Sequence, residues 1–401
     1  MALSQVHPLP GMYLDMKRPI ALFALLLLLV ARTSMGADAA PSLADRLRPF
    51  VEKGQLAGAV ALVVDREKVL SVDAVGFADV ARRKPMKSDA LFWIASQTKP
   101  MTAVAVMMLV DEGKVALDDA VEKYLPEFRG QLAVAEKNGD HTVLRRPGHP
   151  ITVREVLCHT SGMPFQSPLE TPTHDTLALA SLVRSYAMIP LQTEPGTHYQ
   201  YSSAGINIAG RVVEVASGMP YEDFMRRRLF DPLGMKDTTF WPTESQTRRL
   251  AKAYRPDAAG VALKEFPIAQ LAYPLSDRTH RFPIPAGGLF STARDTARFC
   301  QMLLNGGQSN GRRLLSEKSF GELTRRQTPA SVKENYGLCL TLGPVGFGHG
   351  GALATGMDIR PGPGIATIWM VQHAGFPGDG GKAQGVFRDW ALERHGKPVA
   401  R

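Results

Sequence analysis

Cysteine is scarce: Cys158, Cys300 and Cys339 stand far apart, with no C-x-x-C and no Cys/His cluster. Neither a disulfide framework nor a zinc site is signalled, and each reads as a small buried hydrophobe. No Lys/Arg run with interleaved aromatics, basic helix or zinc-finger spacing occurs. The surplus of 47 basic over 38 acidic residues is therefore read as a generally basic surface, with no support for nucleic acid as a partner. There is no internal repeat or low-complexity tract. The apolar run Ile20 to Ala31 falls short of the about 20 residues that span a bilayer. It follows Lys17-Arg18 and precedes the small residues Ser34, Gly36, Ala37 and Ala39, the order of a signal peptide. Residues 1–39 are thus expected to be a signal, with Met16 as an alternative start and an uncleaved anchor as the runner-up. No Cys follows to carry a lipid, and the expectation is an exported protein, periplasmic or secreted, with no integral membrane domain once the signal is removed.

What is present suits a globular chain: 44% hydrophobic and 21% charged residues, with ample length for a core. Ser42 caps a predicted helix through Phe50, and Ala57–Val64 with Val69–Val75 reads as a hairpin. Met101, Val104, Ala105, Met108 and Leu109 recur at helical spacing, ended by Gly113. A second hairpin is expected around Asn138-Gly139, and helices at Val153–Cys158, Ile206–Ala216, Tyr221–Leu229 and Ala293–Leu304. The carboxy-terminal part reads as strands at Gly337–Leu342, Gly346–His349, Gly356–Ile359 and Ile365–Gln372, then a helix at Gln384–Arg394. Strands at both ends with helices between predict an α+β fold: an antiparallel sheet built from both chain ends, flanked by helices, with a mostly helical insertion. The expected domain is 40–398, its sheet part about 40–95 plus 286–398 and its helical part about 96–285.

The chemistry centres on Ser96 and Lys99, a hydroxyl and an amine three residues apart at the start of a predicted helix. On a helix such positions share a face, and the amino-terminal end favours the negative charge that develops in acyl transfer. A neutral Lys can take the serine proton if burial lowers its pKa. Further along stand Tyr201-Ser202-Ser203 before Gly205, and His349-Gly350-Gly351 before Ala352. A tyrosine phenol beside a lysine can relay a proton or act as base, and Tyr199 and Tyr201 are both candidates.

Phe92 through Ser96-Gln97-Thr98-Lys99 to Tyr124-Leu125-Pro126 resembles the nucleophile region of class C β-lactamases, penicillin-binding proteins and related esterases. Tyr201-Ser202-Ser203 resembles that family's Y-x-N element, a resemblance whose Ser-x-x-Gly context selects Tyr201 over Tyr199, and His349-Gly350-Gly351 the place of its K-T-G, in the H-x-G form of the esterase branch. Leu157–Gly162, Gly287–Ala293 and Asn335–Leu338 complete the likeness as scaffold, with His159 and Ser161 bracing a loop, so the resemblance runs over about residues 42–375. It implies a β-lactamase/DD-peptidase-like fold without cofactor or metal. It also implies Ser96, Lys99 and Tyr201 as catalytic residues, an oxyanion hole from the N–H groups of Ser96 and Ala352, and substrate contacts from Ser203, His349, Gly350 and Gly351. Ser203 in place of Asn and His349 in place of Lys move the expectation from β-lactams toward esters. The expected enzyme is a serine hydrolase or acyl-transfer enzyme on a small-molecule ester, with amide, cell-wall-like peptide or β-lactam substrates as alternatives. A catalytically inactive binding protein on the same fold is the alternative from another class. Gly307-Gln308-Ser309-Asn310-Gly311 matches G-x-S-x-G, but an expected helix before it and arginines after it give the wrong setting for a nucleophile elbow.

Overall fold

The computed structural model describes residue 1 and residues 41–397; the expected signal segment lies outside the described residues. The chain from Leu43 onward opens with helix α1 (Leu43–Glu52), followed by strands β1 (Gly58–Val64), β2 (Val69–Asp79) and the short β3 (Lys84–Pro85). Helices α2 (Thr98–Asp111), α3 (Val153–Leu157), α4 (Leu179–Ala187), α5 (Ser203–Ser217), α6 (Ala293–Leu304) and α7 (Glu317–Thr324) come next. Strands β4 (Thr341–Leu342), β5 (Phe347–Gly350), β6 (Gly356–Arg360) and β7 (Ile365–Met370) precede the closing helix α8 (Ala383–His395).

The two groups of strands join into one antiparallel sheet in the order β4-β5-β6-β7-β1-β2-β3, with Val60 opposite Met370 and Leu62 opposite Ile368 where the chain ends meet. Because β1 is central, both of its faces are covered, which is why it is apolar throughout instead of alternating. Ala59, Ala61 and Val63 pack with Leu43 and Leu47 of α1 and Phe387 of α8; Val60, Leu62 and Val64 face the core that contains α2 and α6.

Helix α2 departs from its expected one-sided character. Ala103, Val106 and Met107 are as buried as Met101, Val104 and Ala105, because it is a central helix covered on all sides. Glycine at 210 of α5 brings Pro285 close: a Cβ there would lie 2.2 Å from the Pro285 Cγ. That approach seats the segment 284–287 between α2 and α5.

Other expectations shift in detail. The second hairpin turns on Gly139-Asp140, one residue beyond the expected centre, since Asn138 pairs with His141. Gly337–Leu342 is a strand only at Thr341–Leu342. Cys339 adopts φ 56° and its N–H donates to the Leu157 carbonyl, so that stretch leaves extended geometry to brace the loop after α3. The expected Tyr221–Leu229 helix holds α geometry at Tyr221–Phe224 and widens to a π-helix over Met225–Phe230. Ser309 sits in a small hairpin, Gln308–Ser309 against Arg312–Arg313, and so lacks the strand-to-helix setting of an elbow.

Candidate active site

Ser96 lies in a single 3₁₀ turn (Ala95–Gln97) that feeds α2. Ala95 before it has φ 44°, a left-handed conformation costing a non-glycine residue on the order of 1–2 kcal/mol. The turn is held all the same: the Trp93 indole N–H donates to the Gly287 carbonyl at 2.7 Å, the Ile94 N–H to Leu289 O at 3.0 Å, and the Thr98 hydroxyl to Ala95 O at 2.7 Å.

Lys99 is 1% exposed. Its Nζ stands 3.1 Å from Ser96 Oγ, 3.3 Å from Ser203 Oγ and 2.6 Å from the Ala286 carbonyl, and 4.9 Å from the centre of the Tyr201 ring. No carboxylate bonds the amine among the described residues, and burial lowers its pKa to about 7. Burial raises the pKa of the Tyr201 phenol well above the ordinary phenol range, and the neighbouring Ser96 hydroxyl only partly opposes that shift. The structure thus brings Ser96, Lys99, Tyr201 and Ser203 to one point; Tyr199 packs instead against His159 and Tyr336.

His159, at φ 62° and fully buried, lies 4.5 Å from Tyr201 between ring centres, and its Nδ1 accepts the Ser202 N–H at 3.2 Å. Burial and then the Lys99 charge hold it neutral, so it acts as a wedge behind Tyr201.

On the strand side, His349 Nδ1 donates to the Gly350 carbonyl at 2.6 Å and Nε2 accepts from the Tyr336 hydroxyl at 3.0 Å. With both nitrogens engaged, burial drives its pKa to about 4. A Cβ on Gly351 would meet Ile94 O at 2.5 Å, so this glycine lets the strand end approach the Ser96 turn. Ser96, Ser203 and Ala352 line one cavity of about 170 Å³ with Trp93, Phe165 and Leu271, among others. His349, Gly350 and Gly351 instead border a separate hollow along β5.

Sequence reasoning missed the support beneath Lys99. Asn207, fully buried on α5, accepts the Ala286 N–H on Oδ1 at 3.0 Å and donates through Nδ2 to the Tyr186 hydroxyl at 2.9 Å. The Tyr186 hydroxyl in turn neighbours the Glu170 carboxyl and opposes the upward pKa shift that burial imposes on it. Thr102 Oγ1 donates to Pro285 O at 2.8 Å and lies 2.7 Å from the Tyr221 hydroxyl. The carbonyl that holds Lys99 is thus pinned from two helices. The available signal was Asn207 itself, a poor helix former between Ile206 and Ile208. The three cysteines are free and buried, as expected.

A serine hydroxyl within hydrogen-bond reach of a desolvated amine, with a phenol beside them, on a helix start next to an antiparallel strand, is an arrangement able to carry serine-hydrolase chemistry on the β-lactamase fold. The chain belongs to the Beta-lactamase family, whose family model matches residues 43–386. It is 31% identical over 364 residues to Protein Rv1367c of Mycobacterium tuberculosis, covering 82% of this chain and 88% of that one. It is also 36% identical over 231 residues to Esterase EstB of Burkholderia gladioli, 53% of this chain and about half, 55%, of the relative. Among solved structures it resembles EstCE1, described as a hydrolase with promiscuous acyltransferase activity. The TM-score is 0.71 with 23% identity, over 86% of this chain and 95% of that one.

Proposed function

We propose that the chain is a carboxylesterase or acyl-transfer enzyme that works through an acyl group on Ser96. The observation that carries this reading is the buried Lys99 amine 3.1 Å from Ser96 Oγ. With its pKa near 7, a large share of Lys99 is neutral at neutral pH and able to take the serine proton as Oγ attacks the carbonyl. Tyr201, whose phenol stays protonated, relays a proton toward the leaving group. The N–H groups of Ser96 and Ala352, which share a cavity, receive the oxyanion. Water or an acceptor alcohol then releases the acyl group. Esters are favoured over carboxylate-bearing β-lactams and peptides because His349 supplies no cation where a substrate carboxylate would seek one. Export directed by residues 1–39 belongs to the same proposal.

Intact mass after treatment with a fluorophosphonate tests it. One adduct is expected on the wild type and none on Ser96→Ala; labelling that survives the substitution, or that maps to Ser309, sinks the assignment.

A further inference from the structure

The cavity beside Ser96 is lined mostly by apolar side chains, except for the two serines and three residues from two loops: Glu170 and His174 on one, Gln270 on the other. These loops are locked together. The His174 N–H donates to the Gln270 carbonyl at 3.0 Å, and the Ala272 N–H to Asp175 Oδ1 at 2.9 Å. Asp175 also forms a 2.6 Å ion pair with Arg281, both side chains 2% exposed or less. A buried pair of this kind holds the polar wall in place before any ligand arrives.

That wall is rich in acceptors. Gln270 Oε1 is buried with no partner among the described residues. Glu170, 3% exposed, takes the Ser167 N–H on Oε2 at 2.7 Å and has the Tyr186 hydroxyl as a neighbour, while Oε1 lies 3.9 Å from His174 Nδ1, beyond hydrogen-bond distance; burial raises the pKa of this carboxyl, opposed by the Ser167 N–H and Tyr186. Burial lowers the His174 pKa, opposed by Asp175 and aided by the Lys99 charge, so the imidazole gives Glu170 no counter-charge near neutral pH. The unpartnered Gln270 oxygen is a buried acceptor whose missing bond costs free energy that a ligand donor recovers. The volume of about 170 Å³ is close to the roughly 150 Å³ of a cavity that takes up benzene, so it suits an acyl group of about six non-hydrogen atoms.

We propose that the enzyme selects short acyl groups bearing a hydrogen-bond donor, a hydroxyl or an ammonium, which Glu170 and Gln270 recognise while Ser96 attacks the ester carbonyl. This rests on the esterase reading above and narrows it to a substrate class.

The test compares p-nitrophenyl butanoate, 3-hydroxybutanoate, 3-aminobutanoate and octanoate on the purified protein. At least one donor-bearing ester should exceed butanoate in kcat/KM by about tenfold or more, with octanoate slower than butanoate. Glu170→Gln and Gln270→Leu should each pull the donor-to-butanoate ratio toward one. Loss of only the amino preference in Glu170→Gln assigns recognition to charge; loss of the hydroxyl preference in Gln270→Leu assigns it to the amide carbonyl. Where a variant fails to fold, the wild-type ratio decides alone. Turnover of butanoate at a rate equal to or above both donor esters overturns this inference and leaves the esterase reading standing. Absence of turnover for all four, with no acyl adduct on Ser96 by intact mass, overturns both.

Discussion

The two sides of the site handle charge in opposite ways. On the helix side, Lys99 is buried among neutral oxygens, from Ser96, Ser203 and Ala286, so its proton is loosely held and available for chemistry. On the strand side, His349 is also buried, but Tyr336 and Gly350 occupy both of its nitrogens. Burial lowers both pKa values. The same desolvation leaves a lysine, which starts near 10.5 and ends near 7, partly neutral at neutral pH, and a histidine, which starts near 6.5 and ends near 4, a neutral strut.

The sharpest way to break this contrast is Lys99→Ala, for which kcat/KM on a small activated ester should fall by about 10²- to 10⁴-fold while the circular dichroism spectrum is retained. In the wild type, protonation removes the base, so kcat/KM should decline as pH drops through about 7, approaching tenfold per unit below it. A profile flat from pH 8 to 5 would deny Lys99 the base role. A smaller effect is expected at Asn207, whose side-chain hydrogen bonds go to Tyr186 and Ala286 and not to Lys99 or Ser96. Asn207→Leu frees the Ala286 peptide, so kcat should fall about tenfold with KM nearly unchanged. Asn207→Asp keeps an acceptor for that N–H and should recover part of the loss; equal losses in both would point to a packing defect. The smallest effect is expected on the strand side. His349→Gln should stay within about threefold of wild type and keep the same acid limb, since the imidazole is uncharged until about pH 4. A displaced limb would show that His349 carries charge in the working range.

Residues close in sequence were legible from it. Ser96 and Lys99 share a helical face by spacing alone, and the strands β1 and β7 read correctly because β1 is apolar throughout and β7 is apolar but for Thr367. Expectations failed where a distant partner overrode local preference. Cys339 takes a left-handed turn because the Leu157 carbonyl needs its N–H, and α2 is buried on all sides because it is a central helix. Asn207, Tyr186 and Glu170 form a chain across 37 positions that no local pattern announces.

The amino-acid order by itself pointed to the groups proposed to carry reactivity: a hydroxyl and an amine one turn apart, and a histidine where a lysine would bring a fixed charge. Only the folded molecule decided their protonation, because pKa depends on solvent exclusion and on partners supplied by remote segments. Only it decided that Glu170 and Gln270 share a wall with Ser96, since that wall forms when two loops far apart in the chain are clamped by a buried ion pair.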